Sequence, residues 1–109
     1  MLINMETMLV NSDNIKFIRY LGGKLQISIL GGTTYEVEVD EEVFGNLKKG
    51  IIEDNSDFFE YEFDLINLSF ISSLSESNDK TEISFTDTTK IEFDYQWETF
   101  KNEIVKKFE

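Results

Sequence analysis

Residues 33–44 read TTYEVEVDEEVF and residues 88–100 read TTKIEFDYQWETF. No other feature constrains this chain of 109 residues as tightly. Whatever the pattern folds into, it must form twice, and units this small must share a core to be stable. Three blocks recur in one order. Asn14-Ile15-Lys16-Phe17-Ile18 aligns with Asn67-Leu68-Ser69-Phe70-Ile71, and Leu25-Gln26-Ile27-Ser28-Ile29 with Thr81-Glu82-Ile83-Ser84-Phe85. Val37-Glu38-Val39-Asp40 aligns with Ile91-Glu92-Phe93-Asp94, and the offsets drift between 53 and 56, as short loop insertions would cause.

Within each block apolar and polar residues alternate, which is the mark of a half-buried strand. Tyr35, Val37 and Val39 face one way, and Glu36, Glu38 and Asp40 the other. The stretch FFEYEFDL alternates Phe59, Tyr61, Phe63 and Leu65 with Glu60, Glu62 and Asp64, and reads as one strand over about 58–65. A matching strand is expected over about 3–10, and residues 65–74 also read as strand. Gly22-Gly23 and Gly31-Gly32 supply hairpin turns, with Ser75–Asp79 and Asp87–Thr88 in the equivalent places.

After the last strand of each half the period changes. Val43, Leu47 and Ile51 recur at helical spacing, as do Trp97, Phe100, Ile104 and Phe108. Asp40 and Asp94 stand where N-caps belong, and Lys48-Lys49 and Lys106-Lys107 are expected in the last turns. The predicted fold is α+β: two tandem β-meander-plus-helix repeats, about 3–53 and 58–109, forming one domain over 1–109. The antiparallel sheet or sheets would carry two helices on their apolar side.

Chemistry is narrowed mainly by what is missing. The chain has no Cys and no His, which removes thiolate chemistry, disulfides and the usual general base near neutral pH. No Ser lies in a G-x-S-x-G elbow, and no phosphate-binding glycine loop is present. Acidic clusters at Asp54, Ser56, Asp57 and Glu60, or at Glu76, Asp79 and Glu82, do not follow the order of a calcium-binding loop. The expectation is a protein that is not an enzyme and holds no metal or cofactor. No run of eighteen apolar residues occurs and the first residues lack a signal-peptide pattern, so a cytoplasmic location is expected, with no membrane contact.

Charge supplies the functional expectation. Twenty-two acids against ten basic residues give a net charge of −12, which repels phosphate backbones and favours a basic partner. Glu36, Glu38 and Asp40 form one acidic row, Glu60, Glu62 and Asp64 a second, and Glu92 and Asp94 a third. Like charges directly across a sheet destabilise it, so adjacent rows would need a reason other than stability. Alternate strand residues are roughly 6.7 Å apart, comparable to successive phosphates, so such a face could occupy a nucleic-acid-binding groove. With no Pro, no Ala and an A/T-rich codon bias, the reading is a phage or mobile-element inhibitor. It would act in anti-defence, as a nucleic-acid mimic docking on a basic protein surface, such as that of a nucleic-acid enzyme, without touching nucleic acid itself. Two alternatives stand beside it. One is a small-ligand pocket between the repeats, alone or doubled in a homodimer, using Tyr20, Tyr35, Tyr61 and Tyr95 with Arg19 or Lys24. The other is a structural or assembly module.

Overall fold

The computed structural model describes residues 1–5 and 7–107. Within them the fold is α+β, with two helices and only antiparallel strand pairing. The order is β1 (Leu2–Asn4), β2 (Leu9–Asn11), β3 (Ile15–Leu21), β4 (Lys24–Ile29), β5 (Thr34–Glu38) and α1 (Glu41–Asp54). It then repeats as β6 (Phe58–Tyr61), β7 (Asp64–Asn67), β8 (Ile71–Ser77), β9 (Lys80–Phe85), β10 (Lys90–Gln96) and α2 (Trp97–Lys107). A single 3-10 turn precedes β3 at Ser12–Asn14 and β8 at Leu68–Phe70.

The repeat holds at one constant offset of 56. Ile3 pairs with Val10 and Phe59 with Ile66; Leu25 pairs with Val37 and Thr81 with Phe93. The Leu30 N–H donates to the Asn14 carbonyl as the Thr86 N–H donates to that of Phe70. The ladder slips at Ile15/Phe17 and again at Ile71/Ser73. The middle sequence block therefore carries the correct register. The other two are corrected: Asn67 is the counterpart of Asn11, and Val37 that of Phe93. Asn11 and Asn67 each accept the N–H two residues on, from Asp13 and Ser69.

Turn chemistry explains why the hairpins form. Gly22 and Gly23 both have positive φ, 60° and 80°, the mirror-image two-residue turn whose twist suits flanking strands. Asn78 and Asp79 take the same places at 53° and 66°, which Asn and Asp tolerate better than other non-glycine residues. Asp40 caps α1 by accepting the Val43 N–H at 2.8 Å, and Gln96 accepts the Thr99 N–H at 2.8 Å in α2. Asp94 is therefore not a cap; it lies in β10. Lys48-Lys49 fall in the middle of α1, which runs on to Asp54, whereas Lys106-Lys107 do end α2.

The described chain separates into two compact units, Met1–Ser69 and Phe70 onward. In the first, a five-stranded sheet runs β5-β4-β3-β7-β6, with β1 and β2 as a separate two-stranded hairpin. Its core gathers Ile15, Ile18, Leu25, Ile27, Leu65 and Ile51 of α1, with Ile3 and Val10 from the hairpin. The hairpin that opens the second repeat is thus built into the first unit's sheet. In the second unit, β10-β9-β8 form three strands. There Phe93 stacks on Tyr95 and Tyr95 on Phe100 of α2, at 5.1 and 4.9 Å between ring centres. Phe108, expected on the apolar face of α2, lies outside the described residues.

The sequence expectation of one strand over 58–65 is corrected. Glu62 takes φ 52° and turns the chain at Glu62-Phe63, so alternation is lost: Phe63 is 61% exposed and Asp64 only 2%. The stretch 3–10 is likewise a hairpin, and 65–74 is strand, one 3-10 turn and strand again.

Candidate functional site

The acidic rows do not assemble into one face of the five-stranded sheet. Glu36 and Glu38 lie on β5 and Glu60 on β6, the two opposite edges. Four strand spacings of about 4.8 Å put them roughly 19 Å apart. Two of them, Glu36 and Glu60, are also locally answered. Glu36 accepts a hydrogen bond from Gln26 at 3.1 Å and pairs with Lys24 at 3.5 Å, and these hold its carboxyl below the ordinary value, the Gln26 bond contributing most. Glu60 pairs with Lys48 of α1 at 3.3 Å, and Asp40 is committed to its cap. Glu38 sits opposite Lys24 in the ladder, and Glu62 occupies the β6–β7 turn.

Asp64 has a different role. It is buried and receives two hydrogen bonds from Arg19, Nε at 2.7 Å and Nη2 at 2.9 Å. The pair joins β3 to β7 at directly opposed positions. It fastens the second repeat's hairpin to the first repeat's sheet.

In the second unit, Glu92 faces Glu82 directly across β9–β10, and the Ser77 hydroxyl donates to Glu92 at 3.2 Å. Asp94 pairs with Lys80 at 2.9 Å, and that hydrogen bond, with the charge behind it, raises the Lys80 ammonium above its ordinary value. Among the described residues, the one like-charged cross-strand pair that the rows produce involves a residue, Glu82, that the row argument did not name.

Tyr20, Tyr35 and Tyr61 belong to the first unit and Tyr95 to the second. Tyr20 stacks on Phe44 at 4.5 Å and donates its hydroxyl to the Val39 carbonyl, while Tyr95 belongs to the second unit's core. Tyr61 stacks on Phe59 at 6.2 Å, Tyr35 is half-buried on β5, and Arg19 is held by Asp64.

What sequence reasoning missed is a groove of about 570 Å³ on the first unit. The β3–β4 turn (Leu21, Gly22, Gly23), the β6–β7 turn (Glu62, Phe63) and the first turns of α1 (Glu41, Phe44, Lys48) surround it. Leu21 is 53% and Phe63 61% exposed, a pair of large apolar side chains at neighbouring turns. Phe63 gave no signal because its strand alternation reads as inward. Among the described residues, no three His, Cys, Asp or Glu side chains gather to hold a metal, and no helix is long and apolar enough to cross a membrane.

No protein-family model matches the chain, and no curated protein does. A solved structure does match: the LytTr DNA-binding domain of a Bacillus cereus protein described as a methyl-accepting/DNA response regulator. The likeness covers 96% of this chain and 94% of that one at a TM-score of 0.62, with 8% identity, so what is shared is the fold. This overturns the inhibitor expectation. A mimic that docks on a basic protein surface, anti-defence in role and making no contact with nucleic acid, was read from charge alone. Its fold is instead one found in a DNA-binding domain.

Proposed function

We propose that this chain is a non-enzymatic, cytoplasmic nucleic-acid-binding domain that engages DNA through the hairpin ends around Phe63 rather than through a basic groove. The observation that carries the reading is the LytTr likeness over nearly the full length of both chains. The contact chemistry follows from the charges. Arg19, Lys24, Lys48, Lys80, Lys101 and Lys106 are each engaged by a carboxylate, which leaves little cationic surface for phosphates. Exposed Phe63 and Leu21 supply what does not depend on charge: apolar side chains that stack on or wedge between bases. The Gly22-Gly23 backbone beside them allows close approach.

Such a site has a distinctive salt response. A domain that binds by neutralising phosphates loses affinity with a log–log slope of about −0.9 per phosphate. Here net repulsion is screened as salt rises, so the slope is expected to be flat or positive. The test is selection from a pool of random duplexes, then fluorescence anisotropy over a salt series. Enrichment of a sequence, a flat or positive slope and a loss of about tenfold or more in Phe63→Ala are expected. No enriched duplex and no binding at any salt would overturn the reading.

A further inference from the structure

The repeat is complete in elements but not in pairing. The first repeat's β3 has β4 on one side and, on the other, the β6–β7 hairpin. Among the described residues its counterpart β8 pairs with β9 alone, and the β6–β7 counterpart, the β1–β2 hairpin, pairs only within itself. The fold therefore carries one strand edge of the kind that takes a hairpin, and one hairpin edge of the kind that fills it. Burial shows the difference. All four residues of β7 are buried, whereas Leu9 on β2 is 61% exposed where its counterpart Leu65 is 1%. On β8, Ser72, Ser73, Ser75 and Glu76 are exposed, where the first four residues of β3 are buried.

We infer that β2 of one copy of this chain adds to the β8 edge of another, head to tail, rebuilding in trans the five-stranded order of the first unit. The occupant is fixed by the molecule's own precedent. Ile66, Leu65 and Asp64 of β7 oppose Phe17, Ile18 and Arg19 of β3. The same offset sets Val10, Leu9 and Met8 opposite Ser73, Leu74 and Ser75. The direction of the free backbone groups agrees. The Tyr20 N–H donates to the Phe63 carbonyl at 3.2 Å on the β7 side, so its counterpart, the Glu76 N–H, faces the open edge.

Sequence supports the same two edges. Natural sheets protect exposed edges with charge or Pro. The outer strands β5, β6 and β10 carry Glu36 and Glu38, Glu60, and Lys90, Glu92 and Asp94. The stretch Met8–Asn11 carries no charge, and β8 carries none before Glu76. The opposing term is repulsion between copies at −12 each, so association strengthens with salt.

The Arg19–Asp64 clasp supplies a decisive test, because its counterparts in the trans pairing are Ser75 and Met8, both exposed. Sedimentation equilibrium without DNA, at low and high salt, reads association separately from the nucleic-acid proposal. Expected are a mass that rises with concentration and salt, and a loss of about tenfold or more in Leu9→Lys. The double variant Met8→Asp, Ser75→Arg, which transplants the clasp, should tighten association about tenfold or more. Hydrogen exchange should slow at the Leu74 and Glu76 amides as concentration rises. A wild-type chain monomeric at every concentration and salt, with a double variant equally monomeric, would overturn the inference.

Discussion

Replacing Arg19 by Met tests the physical claim that the second repeat's hairpin is fastened to the first repeat's sheet by one buried charge pair. Asp64 is 2% exposed, and both carboxylate oxygens accept from the guanidinium, at 2.7 and 2.9 Å. Removing one partner of a buried pair costs about 3–5 kcal/mol, because the remaining charge keeps its desolvation and loses its compensation. The two ends are not equivalent. The Arg19 side chain is 32% exposed and recovers hydration when Asp64 is changed. Arg19→Met is therefore expected to cost about 3–4 kcal/mol, and Asp64→Asn only about 1–2 kcal/mol. The double variant Arg19→Met, Asp64→Leu removes both charges and should return to within about 1 kcal/mol of wild type. Urea denaturation followed by far-UV circular dichroism measures all three. We propose that the chain unfolds as one domain, so Trp97 fluorescence, which reports from the second unit, should move with it. An Arg19→Met cost below about 1 kcal/mol, or a double variant no more stable than Arg19→Met, would refute the argument.

Three further outcomes follow from single positions. Thr88 holds φ 72° where its counterpart Gly32 holds 100°, so Thr88→Gly should stabilise by about 1 kcal/mol, read as a higher denaturation midpoint. Asp40→Ala and Gln96→Ala each remove the acceptor of a helix N-terminal amide and should cost about 1 kcal/mol, with faster amide exchange at Val43 and Thr99 respectively. The exposed pairs should leave small pH signatures of opposite sense. The Lys80 value is raised by the Asp94 bond, so its contribution is complete below the unfolded Lys value near 10.4 and disappears as pH rises through the folded one. Lys80→Met should therefore differ from wild type at neutral pH and converge with it in strong alkali. The Glu36 value is lowered, chiefly by Gln26, so Glu36→Gln should differ above the ordinary Glu range and converge as pH falls through the folded value.

Periodicity carried most of the fold into the sequence, and turns carried what was lost. Strands β4 and β9 aligned in the correct register because each packs an alternating face, Leu25 and Ile27 in one and Thr81, Ile83 and Phe85 in the other. The first block failed because it matched Asn14 to Asn67 by identity, whereas the conserved geometry is the asparagine that caps the 3-10 turn, Asn11 and Asn67. The third failed because Asp94 looks like a cap and Gln96 does not, although Gln96 receives the bond. The largest loss came at Glu62. A turn residue at positive φ with no Gly, Asn or Pro beside it leaves an alternating pattern intact on paper and reversed in space. Reading through it concealed the hairpin, the buried Asp64 and the exposed Phe63 together.

The site was less legible because net charge describes approach and solubility, not geometry. Counting acids along strands cannot reveal that β5 and β6 occupy opposite edges of one sheet, since that order is set by where the second hairpin inserts. The same insertion shapes the edges. A repeat that gives its opening hairpin to the sheet before it completes that sheet at five strands and leaves its own at three. Among the described residues the first repeat's hairpin pairs only within itself. The β8 edge, uncharged before Glu76, and the uncharged β2 edge thus remain, each standing 56 residues from one strand of the β3–β7 pair. Either edge alone would be an ordinary surface strand. Their correspondence to a pairing already made within the chain is what gives them a shared occupant.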